Sequence, residues 1–251
     1  MGHENIQARS PADIALVERL GYAYRRHLGA LDTGVEGDPP CSLEGGFGAL
    51  RLFNEVTVRP ASQVSVHAHD GFETVVYLLA GECLIEDDRG HATQLGRGGA
   101  ASMLLGDGIR HELRNPSPTT ALCALVAAVV AEVSNPAPRL AVGPFQDDTT
   151  GFVWVATHGG EERVEGSTVV GPMARLGTGT LSPGVELEFP RALNRGLFVD
   201  VLEGNIELGS KFVDEGGDAR LSLESPVRLQ AITRARIVIA DVAMGYAQQL
   251  V

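Results

Sequence analysis

From Gly159 to Val251 the sequence has no histidine and no cysteine; the last of each are His158 and Cys123. That stretch offers no imidazole or thiol to hold a transition metal tightly, so any metal chemistry falls to the part before it. Cysteine is scarce throughout. Cys41, Cys83 and Cys123 are an odd number with no CxxC spacing, which argues against a disulfide frame or zinc knuckle and fits reduced thiols in a cytoplasmic protein. Cys83 and Cys123 read as buried, inert thiols. Met1-Gly2-His3-Glu4-Asn5 lacks the charged-then-apolar order of a secretory leader. The longest apolar run, Ala121–Ala131, is too short to span a bilayer and suits a buried strand. Basic residues are outnumbered 20 to 32, giving a net charge of −12. Such a chain is repelled by phosphate backbones and anionic lipids. With no basic stripe carrying interleaved aromatics, it is not expected to bind nucleic acid directly or to associate with membranes. No glycine-rich phosphate loop joins a strand to a helix; Gly177-Thr178-Gly179-Thr180 comes nearest but lacks a following lysine. A G-x-S-x-G nucleophile elbow is also absent.

What remains is an ordinary globular composition, 44% hydrophobic and 21% charged over 251 residues, enough for one large or two small domains. Ser10-Pro11-Ala12-Asp13 predicts a helix start: serine can cap, proline suits the first helical position, and aspartate favours the positive end of the dipole. Ile14, Val17, Leu20, Gly21, Tyr24 and Leu28 recur at helical spacing, so the helix is expected to reach about Leu28. It would pack on a barrel and leave Arg25, Arg26 and His27 on a solvated basic face. Beyond Gly46 the pattern changes to short β-branched and aromatic runs broken by Asp87-Asp88-Arg89-Gly90 and Gly96-Arg97-Gly98-Gly99, the cadence of an antiparallel sandwich or barrel. Asn135-Pro136-Ala137-Pro138 ends this part, because paired prolines cannot continue a central strand. A strand near Phe152–Thr157 opens a second β-rich half. There Gly196–Leu208, centred on Gly204, echoes Val75–Ile85, centred on Gly81. The expected division is an N-terminal helix and loop over 1–45, a barrel with a candidate metal site over 46–140, and a barrel without metal ligands over 141–251.

The chemistry concentrates in Val66-His67-Ala68-His69-Asp70-Gly71-Phe72-Glu73-Thr74 and in His111. Side chains at i and i+2 of a strand leave the same face, so a strand through Val64–His69 aims His67 and His69 into one space. Three convergent imidazoles make a usable site for iron, nickel, copper or zinc with positions left open for substrate. Glu73 is a candidate general base, and equally a residue whose hydrogen bond fixes the histidine strand. Tyr77 and Met103 are expected to line the barrel; His91 and His158 read as loop histidines.

The order HxH, strand, Gly81, then Gly108, His111 and, after three more residues, Asn115 resembles the two cupin motifs. More narrowly, His-Ala-His-Asp-Gly-Phe-Glu-Thr-Val-Val-Tyr-Leu-Leu-Ala-Gly is similar to the pirin signature. Gly46-Phe47-Gly48-Ala49-Leu50-Arg51 is similar to the segment entering the first barrel of bacterial pirin-like proteins. The resemblance implies an all-β fold of tandem cupin barrels behind the N-terminal helix. It also implies one mononuclear metal, usually iron, in the first barrel, held by His67, His69 and His111. The family's fourth ligand, a glutamate, falls on Leu113, with the carboxylate displaced to Glu112. By strand alternation Glu112 faces away from His111. Three outcomes stay open: a bulge turning Glu112 inward, a site with three protein ligands, or metal binding lost.

Three functions follow. The first, implied by the resemblance, is an iron-type dioxygenase or oxidoreductase acting on a small hydroxylated or enolic aromatic, flavonol-like or polyketide-like. The second is a metal-free isomerase or cyclase using Glu73, Glu112 or a histidine as its acid–base group. The third is a non-catalytic binding or regulatory protein with a protein partner, a role the resemblance also admits.

Overall fold

The computed structural model describes residues 5–31, 46–68, 71–87, 90, 92–104, 110–131, 139–143, 151–158 and 167–245. The chain opens with β1 (Gln7–Arg9), a 3-10 turn (Pro11–Asp13), β2 (Ala15–Glu18), β3 (Tyr22–Leu28), β4 (Leu50–Val58) and β5 (Gln63–Ala68). It continues through β6 (Phe72–Ala80), β7 (Glu82–Asp87), β8 (Ala92–Gly96), β9 (Ala100–Leu104), β10 (Arg110–Arg114), β11 (Leu122–Val130) and β12 (Arg139–Gly143). The second half holds β13 (Gly151–His158), β14 (Thr168–Val170), β15 (Ala174–Leu181), β16 (Glu186–Phe189), β17 (Arg195–Glu203) and β18 (Asn205–Leu208). It ends with β19 (Lys211–Asp214), β20 (Asp218–Ser222), β21 (Val227–Ala231) and β22 (Ala235–Ala243). No helix among the described residues is long and apolar enough to cross a membrane.

These strands make two barrels, each a seven-stranded sheet closed by a four-stranded one. The first has the orders β12-β9-β6-β11-β4-β3-β2 and β5-β10-β7-β8; the second has β1-β20-β17-β22-β15-β13-β14 and β16-β21-β18-β19. Position for position, β1 stands in the second barrel where β12 stands in the first. The strand nearest the N-terminus thus completes the later barrel, tying 7–9 to the far end of the chain. The echo around Gly81 and Gly204 is structural. Both glycines turn the chain from a strand of the seven-stranded sheet into one of the four-stranded sheet at positive φ, 81° and 74°, where other residues are strained. A side chain at either would also collide with a facing carbonyl, Ala121 or Arg234.

Alternation along each strand builds three apolar layers. Inside the first barrel lie Phe72, Val76, Leu78, Met103, Val64, Ile85 and Leu113. The other face of β6, with Val75, Tyr77 and Leu79, packs instead between the barrels against Ala156, Phe198 and Val238. There Phe53 and Phe198 meet with ring centroids 4.7 Å apart. A third layer fills the second barrel. Met103 lines the first barrel as expected, whereas Tyr77 faces its neighbour. The run Ala121–Ala131 is strand β11, the central strand flanked by β6 and β4.

The N-terminal helix expected over Pro11–Leu28 does not form. The start signal at Ser10 produces one 3-10 turn, with Asp13 accepting from the Ser10 backbone N–H (3.1 Å) and hydroxyl (2.7 Å). Gly21, at φ 90°, then turns the chain, and β2 and β3 form a hairpin. The apolar positions taken as a 3.6-residue period also fit Tyr22 and Tyr24 alternating into the first core. Pairing with β4 decided between the two, because a strand there satisfies its backbone through β4 on one side and β2 on the other.

Candidate functional site

In the first barrel β10 lies antiparallel between β5 and β7. Its register sets His111 opposite His67 and Arg110 opposite Ala68. Directly opposed residues of an antiparallel pair stand ~4.5–5.5 Å apart at Cα, so the two histidine-bearing segments converge at this end of the barrel. His111 is buried, as is Leu113 two residues on; Leu113 packs with Val64, Cys83 and Ile85 in the barrel core. The side chain of His67 and all of His69 lie outside the described residues, as do Cys41, His91, the linker Asn135–Pro138 and the side chain of His158. The backbone of His158 ends β13, a strand rather than a loop.

A bulge is present, but not the one that would recruit Glu112. Between His111 and Leu113 the register slips, Leu113 pairing with Val64, so two residues of β5 face the single residue Glu112. On its other edge β10 pairs with β7 in unbroken register. The extra residue therefore belongs to the histidine strand, and β10 keeps its alternation. Glu112 stays on the outer face, where it accepts a hydrogen bond from Gln63 Nε2 at 2.9 Å. Its expected acid–base role inside the barrel is corrected on this ground.

Glu73 is also displaced from its expected place. It is buried, but on the face of β6 opposite to Phe72, Thr74 and Val76. One carboxylate oxygen accepts from Ser102 Oγ at 2.8 Å and the other from the Gly171 backbone N–H at 2.7 Å. Gly171 precedes β15 in the second barrel, so Glu73 is a clasp between barrels. A general base for chemistry in the first interior would need to be on the other side of the strand. The residue inside is Thr74, wholly buried, whose hydroxyl has no hydrogen-bond partner among the described residues.

Other motif residues are structural. Asn115 Nδ2 donates to the carbonyls of Val58, Arg59 and Thr120 at 2.9–3.1 Å, and its Oδ1 accepts from the Ser117 N–H. One side chain so fastens the β10–β11 connection to the end of β4. Burial pushes the Cys83 thiol up to about 12, consistent with an inert thiol; Cys123 is only half-buried. At the corresponding end of the second barrel Phe189 pairs with Val227. A cavity of about 400 Å³ there is lined by Glu188, Phe189, Pro190, Pro226, Val227 and Arg228, with no imidazole or thiol among them.

A second polar cluster, unforeseen from sequence, lies between the barrels. At His27 the register of β3 against β4 shifts, and this bulge turns His27 to the same side as Leu28. His27 Nδ1 is 2.9 Å from Asp218 Oδ2, and Nε2 is 3.2 Å from Glu55 Oε1 and 3.8 Å from Asp200 Oδ1. Arg9 grips the far side of Asp218 and donates to the His27 carbonyl. Burial alone would push His27 down, but Asp200 and the hydrogen-bonded Asp218 and Glu55 raise it from 6.5 to about 10. Asp200 is pushed from 3.8 to about 8 by burial, with Glu55 and Asp218 adding to the rise against the pull of His27. Burial would raise Asp218 too, yet hydrogen bonds from His27 and Arg9 hold it below its ordinary 3.8. The basic run Arg25-Arg26-His27 misled because a solvated helix face was expected. The available signal was Asp200, a lone carboxylate within the apolar run Leu197–Leu202.

Two stacked barrels of this topology make the chain a bicupin. Residues 42–126 match the Pirin family model, so that segment of the chain is a Pirin family domain. It is 24% identical over 196 residues to the quercetin 2,3-dioxygenase of Escherichia coli (strain K12), covering 78% of this chain and 83% of that protein. The crystal structure of YhhW from Escherichia coli matches with a TM-score of 0.83 at 21% identity, covering 95% of this chain and 98% of the other. The structure of bacterial pirin YhhW in complex with nickel(II) matches with a TM-score of 0.82 at 20% identity, covering 95% and 99%.

Proposed function

We propose that His67, His69 and His111 hold one divalent transition metal, iron or a similar ion, and that the protein is a metal-dependent dioxygenase or oxidoreductase. Its substrate is a small hydroxylated or enolic aromatic. The observation that carries this is the cross-strand pairing of His111 with His67, with His111 buried on the face that fills the barrel. The donor set fits such an ion: borderline imidazoles suit iron, nickel and zinc, and Leu113 leaves the carboxylate position without a donor. The dioxygenase name of the Escherichia coli relative and the nickel(II) bound by YhhW favour the same chemistry. When bound, the ion would supply Lewis acidity and open positions for a chelating pair of oxygens and for dioxygen. The chain's own contribution is shape and dryness. Val64, Phe72, Ile85, Met103 and Leu113 form an apolar wall that excludes water and strengthens the polar contacts made there. Thr74 Oγ1 offers a hydrogen bond to an oxygen entering from the site.

The metal-free alternative is left with a histidine as its acid–base group, because neither Glu73 nor Glu112 faces the interior. Metal content of anaerobically purified protein, followed by turnover of flavonols, catechols and enolic compounds, tests the proposal. About one iron-type ion per chain, lost with turnover in His69→Ala while circular dichroism stays normal, is expected. Full turnover in His69→Ala would refute it, and a parent that binds metal without turning over any of these compounds would favour the binding or regulatory role.

A further inference from the structure

We propose that His27, Glu55 and Asp200 form a second cation site, between the two barrels, for a divalent first-row transition ion such as zinc. The three donor atoms come from β3 and β4 of one barrel and β17 of the other, and all lie within 4.8 Å of one another. Ligands with bonds of ~2.1 Å at tetrahedral or octahedral angles stand roughly 3.0–3.5 Å apart. The observed 3.2 Å and 3.8 Å from His27 Nε2 to the two carboxylates fit this within a few tenths of an ångström.

Asp200 is the independent sign of a ligand. It is fully buried, and neither carboxylate oxygen has a hydrogen-bond partner among the described residues. It also stands directly opposite Asp218 in the β17–β20 pair, a placement in which like charges repel. A buried carboxylate in that position stays ionised only where a cation offsets its lost hydration. His27 Nε2 stays 3.8 Å away, beyond hydrogen-bond reach.

The surroundings are those of a supported ligand. With its proton on Nδ1 held by Asp218, a neutral His27 turns the Nε2 lone pair toward Glu55 and Asp200. Arg9 fixes Asp218 in turn. The three carboxylates of Glu55, Asp200 and Asp218, less the charge of Arg9, leave two negative charges that one divalent ion neutralises. Glu55, with 23% of its side chain exposed, gives a path from solvent. Such an ion would join the barrels, a role separate from chemistry in the first barrel.

Chelator-stripped full-length protein is titrated with zinc alone, and stoichiometry is read by calorimetry and elemental analysis. Parent is expected to bind one more zinc per chain than Asp200→Asn. Glu55→Gln, at a partly exposed position, should lose the same equivalent and guards against misfolding of the first variant. Asp218→Asn should keep the stoichiometry but bind this zinc roughly 10–100-fold more weakly. His69→Ala separates the sites: the equivalent lost with Asp200 should persist in it, whether or not the first barrel binds metal. Folded Asp200→Asn and Glu55→Gln that both keep the parent's stoichiometry would overturn the site, as would a parent binding no zinc outside the equivalent removed by His69→Ala.

Discussion

Replacing Glu73 separates a clasp from a catalyst. Its carboxylate accepts two short hydrogen bonds, from Ser102 in the first barrel and from the Gly171 N–H in the second, and is 3% exposed. Hydrogen bonds to a charged group contribute about 1.5–3 kcal/mol each, and buried donors left unsatisfied cost a similar amount. Because the two share one residue and part of that energy is one desolvation, Glu73→Ala is expected to lose roughly 2–4 kcal/mol. For a chain of this size that is a fall in Tm of roughly 5–15 °C. Glu73→Gln keeps the shape: its amide oxygen can accept from Gly171 and its NH2 can donate to the Ser102 hydroxyl. Only the charge is lost, at about 1 kcal/mol. Ser102→Ala combined with Glu73→Ala should cost less than the sum of the single changes, since they share a bond. Thermal and urea unfolding measure the parent and all four variants. The reasoning is refuted if Glu73→Ala melts with the parent, or if Glu73→Gln keeps its stability yet loses turnover, which would put Glu73 in the chemistry after all.

Leu113→Glu should raise metal affinity at least about tenfold by adding a hard ligand on the face of His111. In metal-free protein the same change should lower stability by about 3 kcal/mol, since a buried leucine is lost and an acid takes its place; metal titration and denaturation check the two halves. In chelator-treated protein the His27 ion pairs make stability depend on pH. Its folded value is raised from 6.5 to about 10, so the stabilisation is complete below pH 6.5 and is lost as pH rises toward 10, at most about 5 kcal/mol. The stability difference between parent and His27→Gln should shrink over that window, and a difference independent of pH would refute the assignment. Asp218 acts on the other side: its folded value is lowered, so its contribution is present above pH 3.8 and fades below it, a fade that Asp218→Asn should abolish in acid unfolding curves. Asn115→Ala, which frees three carbonyls at the end of β4 and in the β10–β11 connection, should cost about 2–4 kcal/mol, read as a lower urea midpoint.

The linear sequence determined what depends on neighbours in the chain. Positive-φ glycines at 81 and 204, the β-branched runs they separate and the HxH spacing are local signals, and from them the two β-barrels and the histidine-bearing strand could be read. Only the tertiary structure decided which face each strand would show and what it would meet. Pro11–Leu28 carried apolar positions compatible with either period, and pairing of β3 with β4 made it strand. The bulges at His27 and within β5 exist only relative to partner strands; one buried His27, and the other left Glu112 outside. Glu73 reads as part of the histidine motif, yet its partner Gly171 is 98 residues away. His27 finds Asp218 across 191 residues. Contacts at that separation are set by how two barrels pack, and residue spacing along the chain has no register with them.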